Sequence, residues 1–183
     1  MVAFARNGVA GTSLDELARS LGVTKQTILY HFGSKDGLVV AVFEAGAFEL
    51  LMVLNEATEQ SPPGWERVEA TVRAVFALAV RRPEHLGLLR ELNRLGPPYS
   101  APVIAVLSPV IDSAVSYFES AMDHGVFRRS DPRLVLVSAY AAVTGVVSDV
   151  EVLRAVGLEL DIRLGVRMRR TLLDFLRAAL LAD

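Results

Sequence analysis

Lys25, Gln26, Thr27 and Tyr30 fall within nine residues reading TKQTILYHF. These are side chains with the chemistry to read nucleic acid. Lysine donates to guanine acceptors or to phosphate, glutamine pairs with adenine, and threonine meets a base edge or a thymine methyl. They can do so only if a helix holds them outward against a second element that fixes its orientation.

The flanking residues supply both elements. Thr12 is a capping residue with Asp15 three positions on, which predicts a helix start. Leu14, Leu17, Ala18 and Leu21 follow at helical spacing, as one apolar stripe. Gly22 supplies the positive φ that a tight turn between helices requires. Thr24 opens a second helix to about residue 32, and Gly33-Ser34 breaks it. Leu17, Ala18 and Leu21 are expected to pack against Val23, Ile28 and Phe32, leaving Lys25, Gln26, Thr27 and Tyr30 outside. This is the physical content of a helix-turn-helix. The free N–H groups of helices beginning at Thr12 and Ser34 suit phosphate oxygens. Lys35, at the second of these starts, is poorly placed for a cation unless an anion lies nearby.

Helical punctuation continues to the end of the chain. Further helices are expected over residues 34–59, 65–82, 83–95, 99–124, 131–155 and 161–182. Ser61-Pro62-Pro63-Gly64 and Gly96-Pro97-Pro98 serve as connectors, and Asp131-Pro132 as an N-cap with proline at the first helical position. With the segment over residues 1–6 this makes about nine helices and an all-α fold. In the last helix Leu160, Leu164, Met168, Leu172, Leu176 and Leu180 recur every fourth residue. Leu173, Phe175 and Ala179 widen the apolar face, enough for its own core and a second subunit.

Composition narrows the class. Hydrophobic residues make up 52% of 183, above the roughly 45–50% of ordinary soluble domains, so an interface or an apolar cavity should absorb the excess. There is no cysteine and there are three scattered histidines, so neither a thiolate site nor a His-Glu-x-x-His spacing exists. Glu44, Glu49 and Glu56 lack the Glu-x-x-His partner of a di-iron bundle. No enzyme chemistry, metal or cofactor is expected. His85 and His124 lie at helix ends, where histidine commonly meets terminal carbonyls. The uncharged run over residues 134–148 is shorter than the ~18–20 residues of a membrane span, and no signal peptide is evident. A cytoplasmic protein without a membrane partner is expected. The net charge is −2, and residues 1–38 carry four basic and three acidic side chains, so DNA binding would rest on placement of charge and not on its sum.

The string GVTKQTILYHFGSKDGL, residues 22–38, resembles the signature of TetR-family transcriptional regulators, above all in its His-Phe-x-Ser-Lys ending behind a helix-turn-helix. The resemblance covers about residues 3–43. It implies a DNA-binding domain over residues 1–38 and a helical ligand-binding and dimerisation domain over 39–183. The resemblance also implies phosphate contacts from Thr12, Tyr30 and Lys35, base contacts from Lys25, Gln26 and Thr27, and His31 at the phosphate end of the recognition helix. Two features depart from the pattern. Leu29 stands where the family usually has tyrosine, and the family's first helix normally has further turns ahead of Ala3-Phe4-Ala5. His124-Gly125-Val126-Phe127 followed by Asp131-Pro132 is similar to the family's entry into its dimerisation helices.

The implied function is a homodimeric repressor on a palindromic operator in double-stranded DNA, released by a small apolar effector. Trp65, Phe76, Tyr99, Tyr117, Phe118 and Tyr140 are candidates for its pocket, although large residues on helices are more often core. A helical interaction scaffold would account for the helices but not for the outward Lys-Gln-Thr face.

Overall fold

A computed structural model describes residues 1–148, 150–159 and 162–181. Ten helical segments appear among them and no strand. They are α1 (Val2–Asn7), α2 (Leu14–Leu21), α3 (Lys25–Phe32), α4 (Lys35–Glu59), α5 (Trp65–Arg81), α6 (Glu84–Leu95), α7 (Ser100–Asp123), α8 (Pro132–Ser148), α9 (Val150–Ala155) and α10 (Ile162–Leu180). The expected all-helical architecture holds. The predicted ends of the last helix at Asp161 and Ala182, and Leu160 of its stripe, lie outside the described residues.

Two compact units form, one from Met1–Leu51 with Arg81–Ser108 and one from Met52–Val80 with Pro109–Asp183. This partition by packing differs from the functional division at residue 38, because α6 and the start of α7 join the first three helices.

The core of the first unit gathers Phe4, Val9, Val39, Phe43, Ala47, Leu88 and Val103. Phe4 and Val39 are almost wholly buried, and each such side chain stabilises by about 1.5–3 kcal/mol relative to exposure. Helices α4 and α7 are, by length and composition, apolar enough to cross a bilayer. Here Val39, Phe43 and Ala47 of α4 and Val103 of α7 are buried in this core. Helix α6 approaches α1 closely because Gly87 has no side chain. A Cβ built there would stand 2.6 Å from the Ala5 carbonyl oxygen and 2.7 Å from the Ala5 Cβ.

The second unit packs Trp65, Val72 and Phe76 of α5, Phe118 and Met122 of α7, Val143 of α8, and Leu172 and Leu176 of α10 around Phe127. The Phe127 ring lies 5.8 Å from Phe118 and 6.2 Å from Tyr117. An isolated bridge pairs Phe127 with Leu181, and the Arg128 N–H donates to the Leu180 carbonyl at 2.8 Å. Asp131 caps α8 as expected, its Oδ1 accepting from the Arg133 N–H at 2.9 Å. The two helix-end histidines also behave as expected, with His124 Nδ1 2.7 Å from the Ser120 carbonyl and His85 Nδ1 3.2 Å from that of Arg82.

Candidate nucleic-acid interface

The helix-turn-helix is built by local rules. Helix α2 starts at Ser13, whose hydroxyl accepts from the Glu16 N–H at 3.1 Å while the Glu16 carboxylate accepts from the Ser13 N–H at 3.3 Å. This closed capping box corrects the predicted start at Thr12. Thr12 is 3% exposed, and its hydroxyl donates to the Gly8 carbonyl at 2.7 Å. With that hydroxyl turned inward, Thr12 is not available as the phosphate contact that the resemblance implied. The sequence carried the signal for the true cap, since Ser13 and Glu16 stand at the capping-box spacing.

Gly22 adopts the left-handed conformation, φ 68° and ψ 26°, and ends α2. Helix α3 starts at Thr24, whose hydroxyl accepts from the Thr27 N–H at 3.1 Å. It stops at Gly33, and Ser34 then caps α4 by accepting from the Gly37 N–H at 3.0 Å. The contact between α2 and α3 is narrower than predicted. Leu14, Ala18 and Ile28 are buried together, with Leu17, Leu29 and Leu38 packed against them. Leu21 is 68% exposed, and Val23 and Phe32 are also exposed, so these three do not join the core. Leu29, at the position where a tyrosine was expected, is an inward residue.

Every remaining side chain of α3 faces outward: Lys25, Gln26, Thr27, Tyr30 and His31 are all exposed. Gln26 and Tyr30 share a face at i, i+4, and Thr27 and His31 lie beside them at the same spacing. Tyr30 is 86% exposed, and its ring lies edge-on to His31 at 5.3 Å between centroids. The Thr27 hydroxyl is 2.9 Å from that of Thr24. The Lys25 ammonium lies 2.8 Å from the Asp15 carboxylate of α2. That pair is exposed, and such pairs contribute only about 0–1 kcal/mol, so an incoming anion can draw the lysine away. Lys35 is half-buried in the first turn of α4.

Two residues that the sequence did not single out hold this head within the first unit. Glu91 of α6 is 8% exposed. Its Oε1 accepts the Val9 N–H at 2.6 Å, and both carboxylate oxygens take hydrogen bonds from Arg94 at 2.7 and 2.8 Å. Arg94 foremost, then the Val9 N–H, holds this carboxyl at about 2, against the opposing effect of burial. Asp36, in the first turn of α4, accepts from the Tyr99 hydroxyl at 2.8 Å. The same bond holds the phenol above its ordinary value.

The six pocket candidates do not form one group. Tyr99 belongs to the first unit. Trp65, Phe76 and Phe118 are buried in the core of the second, with Tyr117 packed against them, while Tyr140 is exposed. The Tyr117 hydroxyl makes two hydrogen bonds to Gly64, to its N–H and its carbonyl, each at 2.7 Å.

A trihelical head with an outward polar α3 defines a helix-turn-helix DNA-binding protein. Residues 1–42 match the family described as bacterial regulatory proteins, tetR family. An uncharacterized HTH-type transcriptional regulator of Bacillus subtilis (strain 168), YhgD, is 28% identical over 150 residues, covering 76% of this chain and 75% of its own. Among solved structures, Bacillus subtilis FadR in complex with stearoyl-CoA superposes with a TM-score of 0.79 at 15% identity, over 96% of this chain and 92% of its own. AibR in complex with isovaleryl coenzyme A and operator DNA superposes with a TM-score of 0.76 at 20% identity, over 94% and 91%. Over residues 1–42 the chain is thus similar to the tetR family of bacterial regulatory proteins, and over most of its length to an HTH-type transcriptional regulator.

Proposed function

We propose that the chain is a cytoplasmic, homodimeric repressor that binds a palindromic operator and is released by a small apolar effector. Residues 1–38 would be the reading head and 39–183 the effector-binding and pairing body. The observation that carries this reading is the outer face of α3. Gln26, Thr27, Tyr30 and His31 are all exposed, while Ile28 alone of α3 is buried. Lys25, Gln26 and Thr27 would meet base edges, and Tyr30, His31 and Lys35 the phosphates.

Pairing is supported by apolar side chains left in solvent on α8 and α10, which pack together in the second unit. Leu134, Val137 and Tyr140 on α8 and Phe175 on α10 are all exposed. A pair joined there would set its two α3 helices into successive major grooves about 34–36 Å apart. An apolar effector is supported by the 52% hydrophobic composition and by the apolar acyl chains of the coenzyme A thioesters held by two proteins of this fold. Release would be a population shift between two head separations. Helix α4 would carry it, since α4 starts in the first unit and ends in the second.

The test is a salt titration of binding to a palindromic fragment from the DNA flanking the coding region, with a scrambled fragment as control. Selective binding by two subunits per site, falling steeply as salt rises, supports the reading. Equal affinity for both fragments would overturn it. Gln26→Ala should relax operator preference. Lys25→Ala should weaken the operator more than the control if the lysine reads a base, and both alike if it meets phosphate.

A further inference from the structure

The second unit carries a cavity of about 330 Å³ between α5 and α10, lined by none of the residues of the DNA-reading face. Buried Trp65 and Leu173 form its apolar wall. Four guanidinium groups line it, from Arg73 of α5 and from Arg169, Arg170 and Arg177 of α10, against the carboxylates of Glu69 and Asp174. The site therefore holds an excess of two positive charges.

Its charges are incompletely matched within the protein. Arg73 pairs with Glu69 one turn away. The Arg177 guanidinium sits over the Trp65 ring, 5.9 Å from the centroid. Among the described residues neither Arg169 nor Arg170 has an ion-pair partner, and Asp174, one turn beyond Arg170 on the same helix, does not supply one. Like charges gathered around a concave, partly apolar surface repel one another at reduced screening and attract a counter-charge. Guanidinium forks match phosphate oxygens two at a time.

The register of α10 keeps this site open. Val166, Arg169, Arg170, Leu173 and Arg177 recur at spacings of three and four and share one face. Phe175 and Ala179 fall on the other side of the helix, so a second copy seated on the Phe175 face leaves the cavity uncovered. The volume is at the lower end of the roughly 300–1,000 Å³ of small-molecule sites.

We propose that this cavity binds a phosphate-bearing small molecule, with Arg169 and Arg170 clasping a diphosphate group and Trp65 supporting the part attached to it. The inference is independent of operator binding and of the apolar effector.

Trp65 is the sole tryptophan of the chain, so its fluorescence reports on this site alone. The full chain is titrated without DNA, at constant ionic strength, with pyrophosphate, with ADP, with adenosine and with sodium chloride. Pyrophosphate and ADP should each give a saturable change, half-complete at or below about 1 mM. Adenosine and chloride should give none. The double variant R169Q/R170Q should bind both phosphates at least about tenfold more weakly, a change of ~1.4 kcal/mol. Arg170→Glu, at an exposed position, should do the same with the melting temperature kept, so the result stands even if the double variant folds poorly. A non-saturable response, an equal response to chloride or adenosine, or Arg170→Glu binding like the parent would overturn the proposal.

Discussion

The Glu91 carboxylate of α6 takes the backbone N–H of Val9 at 2.6 Å across 82 positions of sequence. It joins the turn after α1 to a helix that the chain reaches only much later. Removing it with Glu91→Leu leaves that buried N–H without an acceptor and frees Arg94. A buried unsatisfied donor costs about 1–3 kcal/mol, so urea unfolding should show a loss of about 2 kcal/mol or more. An unchanged midpoint would mean that the Val9 amide finds water or another acceptor.

The same carboxylate gives stability a pH dependence of known sign. Its folded value, about 2, lies below the ordinary 4.5. Its contribution is therefore complete above the unfolded value and is lost as pH falls from about 4.5 toward 2. Urea midpoints should fall more steeply below about pH 5 for the parent than for Glu91→Gln, whose side chain does not titrate. Parallel curves would show that other carboxylates dominate acid unfolding.

Gly87 tests the other half of this α1–α6 joint. In a helix, alanine is better than glycine by about 1 kcal/mol, but overpacking a tight contact costs about 1–3 kcal/mol. The Ala5 carbonyl 2.6 Å from the would-be Cβ is backbone and cannot turn aside, so the clash should win. Gly87→Ala should lower the melting temperature and weaken DNA binding together. A stabilised variant would mean that α1 can slide on α6.

These joints also mark where the sequence is legible. The helix-turn-helix could be read because Gly22 and the caps act within a few residues. Ser13 and Thr12 are both capping types, and the burial of Thr12 against the Gly8 carbonyl decides between them, which is a tertiary event. Leu21 fits the stripe yet lies in solvent, because residue type does not say how far a neighbouring helix reaches. Glu91 reads as an ordinary surface acid until folding sets the Val9 amide beside it. Aromatic side chains on helices look alike whether they fill a core or line a cavity, and the anion cavity joins arginines from helices about a hundred residues apart.

Tyr30 offers a clean separation of binding from folding. At 86% exposure it contributes little to the head's core, so Tyr30→Ala should leave the melting temperature unchanged. If the residue meets the operator, affinity should fall about tenfold, ~1.4 kcal/mol. Tyr30→Phe keeps the ring and removes the hydroxyl, so a loss equal to that of alanine assigns the contact to the hydroxyl. Full affinity in both variants would remove Tyr30 from the interface.

Phe175 bears on the proposed pairing. It is 63% exposed, whereas Leu172, Leu173 and Leu176 around it in sequence are buried in the second unit. A lone subunit gains nothing from an aromatic ring in water, while a paired one would bury it against another copy. Phe175→Asp should shift sedimentation from two subunits to one and leave helix content intact. Operator affinity should fall with it, because two heads on separate subunits lose the effective concentration that joins them. A variant that still sediments as a dimer would move the interface elsewhere, leaving Leu134 and Val137 of α8 to be tested next.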